Sequence, residues 1–301
     1  MENTDKNSKY VIATCSTADI KPEHLKTIDV EFIGFTYYVN GREYKDDLGK
    51  TTSNSSFYQM MREGADTKTA HPNVEDYKSF LRPFLNNGYD VILLNLSSGI
   101  SGAQASGKIA KTELESQYPN RKIYVVDSLG ASSGMGLLVD KMAELRKGGV
   151  NIDELYSWVE ANKLRVQHWF FSTDLTFYVK GGRVSRVAGW FGTILKICPL
   201  LCVDKHGKLI LKEKIRGKGG AIKQMVKKME ENAENGVHYS GKCYISHSDS
   251  YEEAEELARM IMAKFPGIKG RVEINSIGTT IGAHTGPGTV ALFFFGKERN
   301  C

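Results

Sequence analysis

Three short stretches of this chain gather hydroxyls, imidazoles and glycines. The first is SIGTTIGAHTGPG (276–288), with four Gly, three Thr and one His in thirteen positions. Thr285, Gly286 and Gly288 leave backbone N–H groups uncovered, and Pro287 stiffens the turn. Such a loop suits a cup for a carboxylate or phosphate. The plainer alternative for His284 is a capping or surface residue. The second stretch, NLSSGISGAQAS (95–106), lies where an apolar run ends and a helix begins. Ligands of parallel α/β sheets collect outside the carboxyl ends of strands, and a helix start can receive an anion. Ser97, Ser98 and Ser101 add hydroxyl donors, and Gly99 opens the turn. The alternative here is an N-cap and a tight turn with no ligand. The third stretch, TKTAHPNVEDY (67–77), places Thr69 and His71 ahead of Pro72, which disfavours helix before it. It reads as polar, extended chain, and the alternative is a linker.

Three patterns imitate other chemistries. GISGA (99–103) is one residue from a G-x-S-x-G elbow, and Ser101, Asp127 and His284 follow in the chain order of α/β-hydrolases. A serine hydrolase acting on acyl esters is therefore the alternative function. Against it, the Ser97–Ser98 pair sits where a strand should still be running. GAQASGKI (102–109) has Ile109 where a nucleotide loop needs Ser or Thr for magnesium. CPLLC (198–202) has no second Cys/His pair at zinc spacing, so no metal is expected.

The elements that must position these residues can be read from periodicity. Residues 9–14 read as a strand, and 29–46 as a hairpin turning at Asn40-Gly41. A helix over 74–88 contains Pro83. Strand 89–96, helix 101–118, strand 122–127 and helix 132–149 follow. This alternation predicts a mainly parallel sheet flanked by helices. The second half reads differently. It runs helix 151–165, strand 167–173, a Gly-interrupted apolar helix over 182–197, two strands around His206-Gly207 and helix 218–235. A strand, a helix and two strands flanking 276–288 complete an α/β unit with a mixed sheet. The expected domains are 1–150 and 151–301, with a ligand between them.

Bulk properties exclude several classes. The chain has 301 residues, 41% hydrophobic and 25% charged, as in ordinary soluble domains. No apolar run approaches the ~20 residues of a membrane-spanning helix. The first ten residues are polar, and a cytoplasmic protein is expected. Five cysteines at irregular spacing argue against a disulfide framework. A net charge of +5 is too small to indicate nucleic acid, but basic residues cluster over 205–228.

The segments CSTADI, KTAHP, SSGISG, VVDS, KGGRVS, EKIRGKGGAI and HTGPG occur in order from Cys15 to Gly288. Together they resemble the DegV family, the fatty-acid-binding subunits of bacterial fatty acid kinase systems. The resemblance implies two α/β domains with a long-chain fatty acid buried between them and no cofactor. It implies a separate kinase subunit that phosphorylates the carboxylate to an acyl phosphate for phospholipid synthesis, while this protein performs no chemistry itself. By position, Thr69, Ser97, Ser98, Gly99, His284 and Thr285 would hold the carboxylate, and Arg216 would contact the kinase. Three departures stand out. Ala70 replaces a serine, His71 stands where an amide is common, and Cys15 replaces an acid.

Physical chemistry adds two expectations. A tail of ~15 methylenes offers on the order of 12 kcal/mol at ~0.8 kcal/mol per CH₂ before ordering costs. GWFGTILKICPLL (189–201) is the candidate lining, with Trp190, Phe191, Ile194 and Leu195 against the chain; the alternative is plain core. None of the three loops contains Arg, so neutral donors are expected at the head group. Lys212, Lys214, Arg216 and Lys218 would suit an acidic kinase surface or transient contact with an anionic membrane. The alternative is a solvated face.

Overall fold

A computed structural model describes residues 9–184, 197–268, 270 and 272–300. The elements run β1 (Tyr10–Cys15), α1 (Pro22–Thr27), β2 (Val30–Ile33), β3 (Thr36–Val39), β4 (Arg42–Lys45), α2 (Asn54–Arg62), β5 (Thr67–Ala70), α3 (Val74–Asn86), β6 (Asp90–Asn95), α4 (Ala103–Gln117), β7 (Ile123–Asp127) and α5 (Ser132–Lys147). The second half continues with α6 (Ile152–Asn162), β8 (Val166–Ser172), α7 (Thr176–Lys180), β9 (Ile197–Val203), β10 (Leu209–Arg216), α8 (Lys218–Asn232), β11 (Cys243–His247), α9 (Tyr251–Lys264), β12 (Val272–Ser276), α10 (Thr279–Thr285) and β13 (Thr289–Phe295).

Two main sheets result, as the α/β reading requires. A four-stranded sheet has the order β2-β1-β6-β7, parallel throughout. A six-stranded sheet has the order β10-β9-β8-β13-β11-β12, antiparallel except for the β11–β12 pair. Strand β6 is buried at every position, which is why it reads as one continuous apolar run. Helix α5 is buried along most of its length and touches β1 of the first sheet and β8, β11 and β13 of the second. Its Met135, Leu137, Leu138, Val139 and Met142 join one core with Ile12, Ile92, Phe170 and Phe293. Burying each such side chain contributes about 1.5–3 kcal/mol.

A third sheet, β4-β3-β5, was not foreseen. The residues expected to form one long hairpin split between two sheets. Val30–Ile33 pairs with β1, while β3 and β4 turn at Asn40-Gly41 with φ of 50° and 81°. The stretch read as possible linker is β5, which pairs Thr69 with Tyr37. Helix α3 continues through Pro83 and is fixed at its start by an Asn73–Asp76 capping box. The stretch read as a loop over 276–288 is also corrected, since Thr279–Thr285 forms α10 and the loop is confined to Gly286–Gly288. Cys15, Cys198 and Cys243 are buried free thiols. Among the described residues no helix is long and apolar enough to cross a membrane.

Candidate functional site

The cavity of interest is walled by strands of the three-stranded and six-stranded sheets and by loop residues that follow β2 and β6, with about 910 Å³ of atom-free space, its mouth included. Phe35, Leu96 and Ile100 from the first half face Phe170, Ile277 and Phe293 from the second. A mostly apolar wall with a few polar groups is the ordinary make-up of a small-molecule site. The polar lining includes Thr69, Ser101, Thr280, His284, Thr285 and Arg183.

Thr69 and His284, 215 residues apart, meet with Oγ1 and Nε2 2.7 Å from each other. Strand β5 presents the threonine and α10 the imidazole. The Nδ1 atom of His284 is buried without a partner. It lies over Gly181, where a Cβ would come within 2.4 Å of it. A tautomer with the proton on Nε2 avoids burying an unpaired N–H. His284 then donates to Thr69, and the threonine hydroxyl is free to donate into the cavity. Burial, with the nearby charge of Arg183 adding to it, pushes the His284 pKa down to about 4, so the ring is neutral near pH 7.

Arg183 is the residue that sequence reasoning missed. Its Nε donates to Ile100 O at 3.2 Å and its Nη1 to Gly181 O, and burial pulls its pKa below the usual guanidinium range. The expectation of neutral donors alone is thereby corrected, because a half-buried cation lines the cavity beside His284. KGGRVS was visible as a segment, but no spacing rule says where its side chain points.

The serine turn takes a different place from the one expected. Ser97 is fully buried, donates to Gly207 O at 2.9 Å and accepts from Gly99 N at 3.1 Å. Ser98 is exposed, and its amide donates to Asp127 at 3.1 Å. None of Ser97, Ser98 and Gly99 lines the cavity. The turn instead grips the hairpin between β9 and β10: a Cβ at Gly99 would come within 2.6 Å of the Gly207 and His206 backbone. Ile100 and Ser101, next along, do line the cavity. Thr285 is in the wall and buried. Trp190, Phe191, Ile194 and Leu195 lie outside the described residues, as does most of the helix expected over 182–197.

The hydrolase arrangement is not assembled. Asp127 accepts from the amides of Ser98 and Leu129, Ser101 Oγ accepts from Ala103 N, and His284 bonds Thr69. Among the described residues no group of three or more His, Cys, Asp and Glu is placed to hold a metal ion. His71 lines the cavity, and its Nδ1 donates to Pro72 O at 3.0 Å. Cys15 is buried with Sγ 2.9 Å from Asn95 Oδ1, which also accepts from Tyr77.

Comparison with known proteins gives the family of the chain. The DegV family description matches residues 9–297. The chain belongs to the DegV family. A DegV domain-containing protein of Clostridium perfringens is 36% identical over 291 residues, 97% of this chain and 99% of that one. A Thermotoga maritima protein whose structure reveals fatty acid binding function is 28% identical, with a TM-score of 0.80 and coverage of 97% of this chain and all of that one. The fatty acid kinase B3 protein of Streptococcus pneumoniae, solved loaded with linoleic acid, is 20% identical with a TM-score of 0.81, covering 96% of this DegV chain and all of its own. That last likeness speaks for the shared fold.

Arg216 stands apart from the cavity. It is exposed at the end of β10, whose first residue, Leu209, lines the cavity. Seven residue-to-residue steps of strand separate them, roughly 23 Å at ~3.3 Å per step. Lys212, Lys214 and Arg216 share the exposed face of this edge strand, and Lys218 is paired with Glu253.

Proposed function

We propose that this protein is a cytoplasmic carrier that buries the tail of a long-chain fatty acid and presents its carboxylate to a kinase subunit. The observation that carries this is the apolar cavity whose polar lining includes the Thr69–His284 pair and Arg183. A buried carboxylate is costly unless its oxygens are hydrogen-bonded. Thr69, with its proton freed by His284, and Thr285 supply neutral donors, and Arg183 balances the charge. Ser97, Ser98 and Gly99 act indirectly, by holding Ile100 and Ser101 in the wall against the β9–β10 hairpin. The fatty acid sits where the units 1–150 and 151–301 meet. The protein itself performs no chemistry. In the partner's site a carboxylate oxygen attacks the terminal phosphorus of a nucleoside triphosphate, the bond to the diphosphate breaks, and an acyl phosphate results. The basic face of β10, including Arg216, is the contact for that partner, with the membrane surface as a transient second one.

The likeness to a protein whose structure reveals fatty acid binding function supports this reading. Solvent extraction and mass spectrometry of the purified protein test it. One long-chain fatty acid per protein molecule is expected. A protein that carries none, and takes none up from added palmitate, would contradict it.

A further inference from the structure

We propose that Asp19 and Asp46 are positioning residues: by receiving the donors at the start of α10 they fix where its far end, with His284 and Thr285, meets a ligand carboxylate. This rests on the fatty-acid reading above.

Both aspartates are buried, at 4% and 2% exposure, and neither lines the cavity. Asp19 Oδ1 accepts from Gly278 N at 2.9 Å, and its Oδ2 accepts from Ser132 Oγ at 2.5 Å. Asp46 Oδ2 accepts from Thr280 Oγ1 at 2.5 Å and from Thr280 N at 3.3 Å, while its Oδ1 takes Leu48 N. Two carboxyl groups from the first fifty residues thus satisfy amides at the start of a helix that lies more than 230 residues later. Tyr58 adds a third tether, donating to Ile277 O at 2.8 Å.

Helix α10 needs such anchoring. It has seven residues, T-T-I-G-A-H-T, with one glycine and three threonines, and Gly286 at φ 67° ends it. A helix so short and so poor in helix formers does not hold itself. Thr280 and His284 are four residues apart, on one face and about 6 Å apart along the axis. Whatever fixes Thr280 therefore fixes His284 one turn on. The anchor is itself constrained. Asp19 and Ser132 both sit in the left-handed region, at φ 48° and 53°, and are bonded to each other. Backbone held in that region outside glycine persists where its surroundings over-determine it, and it clusters at functional sites. Burial raises both carboxyl pKa values, and Asp46 raises that of Asp19 further. A neutral side chain that keeps the acceptor can therefore stand in for Asp19.

The test compares oleic acid with oleyl alcohol, which fills the tail space without a carboxylate, by calorimetry on the full chain. D19A is expected to weaken oleic acid ~10-fold or more and oleyl alcohol less than ~2-fold. D46N, which turns one acceptor into a donor facing an N–H, should do the same more mildly. D19N, whose oxygen still receives Gly278 N, should stay within ~3-fold of the unchanged protein. The imidazole nitrogen resonances of His284 should move in D19A. Folded D19A that binds oleic acid unchanged, or loses acid and alcohol alike, overturns the proposal. If D19A does not fold, D46N decides by the same criteria. If the unchanged protein binds neither lipid, the fatty-acid reading fails. The positioning claim then stands or falls on whether the His284 resonances move in ligand-free protein.

Discussion

At the scale of single residues, the account turns on Thr69 and His284. Removing the hydroxyl in Thr69→Val should cost ~1–3 kcal/mol of fatty-acid affinity, the range for one lost donor to a charged group. Calorimetry with palmitate checks it, and a loss under ~0.5 kcal/mol would remove Thr69 from the head-group site. His284 also sets a pH dependence. Its pKa is about 6.5 in an unfolded chain and about 4 here, so the unfolded state takes up the proton first as pH falls. The folded state's advantage is present in full above about pH 6.5 and is lost as pH falls toward about 4. His284→Gln should flatten that part of the curve of unfolding free energy against pH. Types and spacing gave these residues away in part: a histidine among glycines and hydroxyls marked one wall, and a threonine before His71-Pro72 marked the other. Spacing did not reveal that the two bond each other, nor that Arg183 joins them, because both facts depend on packing between distant segments.

Among elements, what decides the site is how short pieces are held. Helix α10 was not legible because its residues favour loops, and the groups that stabilise it, Asp19 and Asp46, lie far away in the chain. Strand β5 was hidden for the same reason, since four mostly polar residues become a strand only by pairing with β3. The long apolar strands and the amphipathic helices were legible, because their periodicity carries the burial pattern directly. The turn at Gly99 gives a prediction at this scale. Gly99→Ala pushes a methyl into the Gly207 backbone, so it should lower stability by about 1–3 kcal/mol. Thermal unfolding measures this. An unchanged midpoint would mean that the Ser97 turn and the β9–β10 hairpin are not locked together.

Over the whole molecule, the cavity exists because the parallel sheet and the mixed sheet are clamped around α5. One clamp on the far side is polar. Asp140 of α5 meets His24 Nε2 at 2.8 Å and Lys242 Nζ at 2.5 Å, and Tyr244 of β11 approaches His24. The bond to Asp140 raises the His24 pKa, against a smaller opposing effect of burial. This clamp's contribution is therefore complete below about pH 6.5 and is lost as pH rises through the raised value. His24→Gln should cost on the order of 1 kcal/mol at pH 6 and less at pH 9, by chemical denaturation. An equal cost at both would remove the charge from the explanation. The division into a parallel and a mixed part was legible from element order, whereas the way the parts close on one cavity was not. The most direct measurement is a crystal structure of the protein loaded with palmitate. The carboxylate is expected within hydrogen-bonding distance of Thr69 Oγ1, near Arg183, with the tail along Phe170 and Phe293. A carboxylate at the opposite end of the cavity, or a cavity that holds only water at saturating palmitate, would contradict the account.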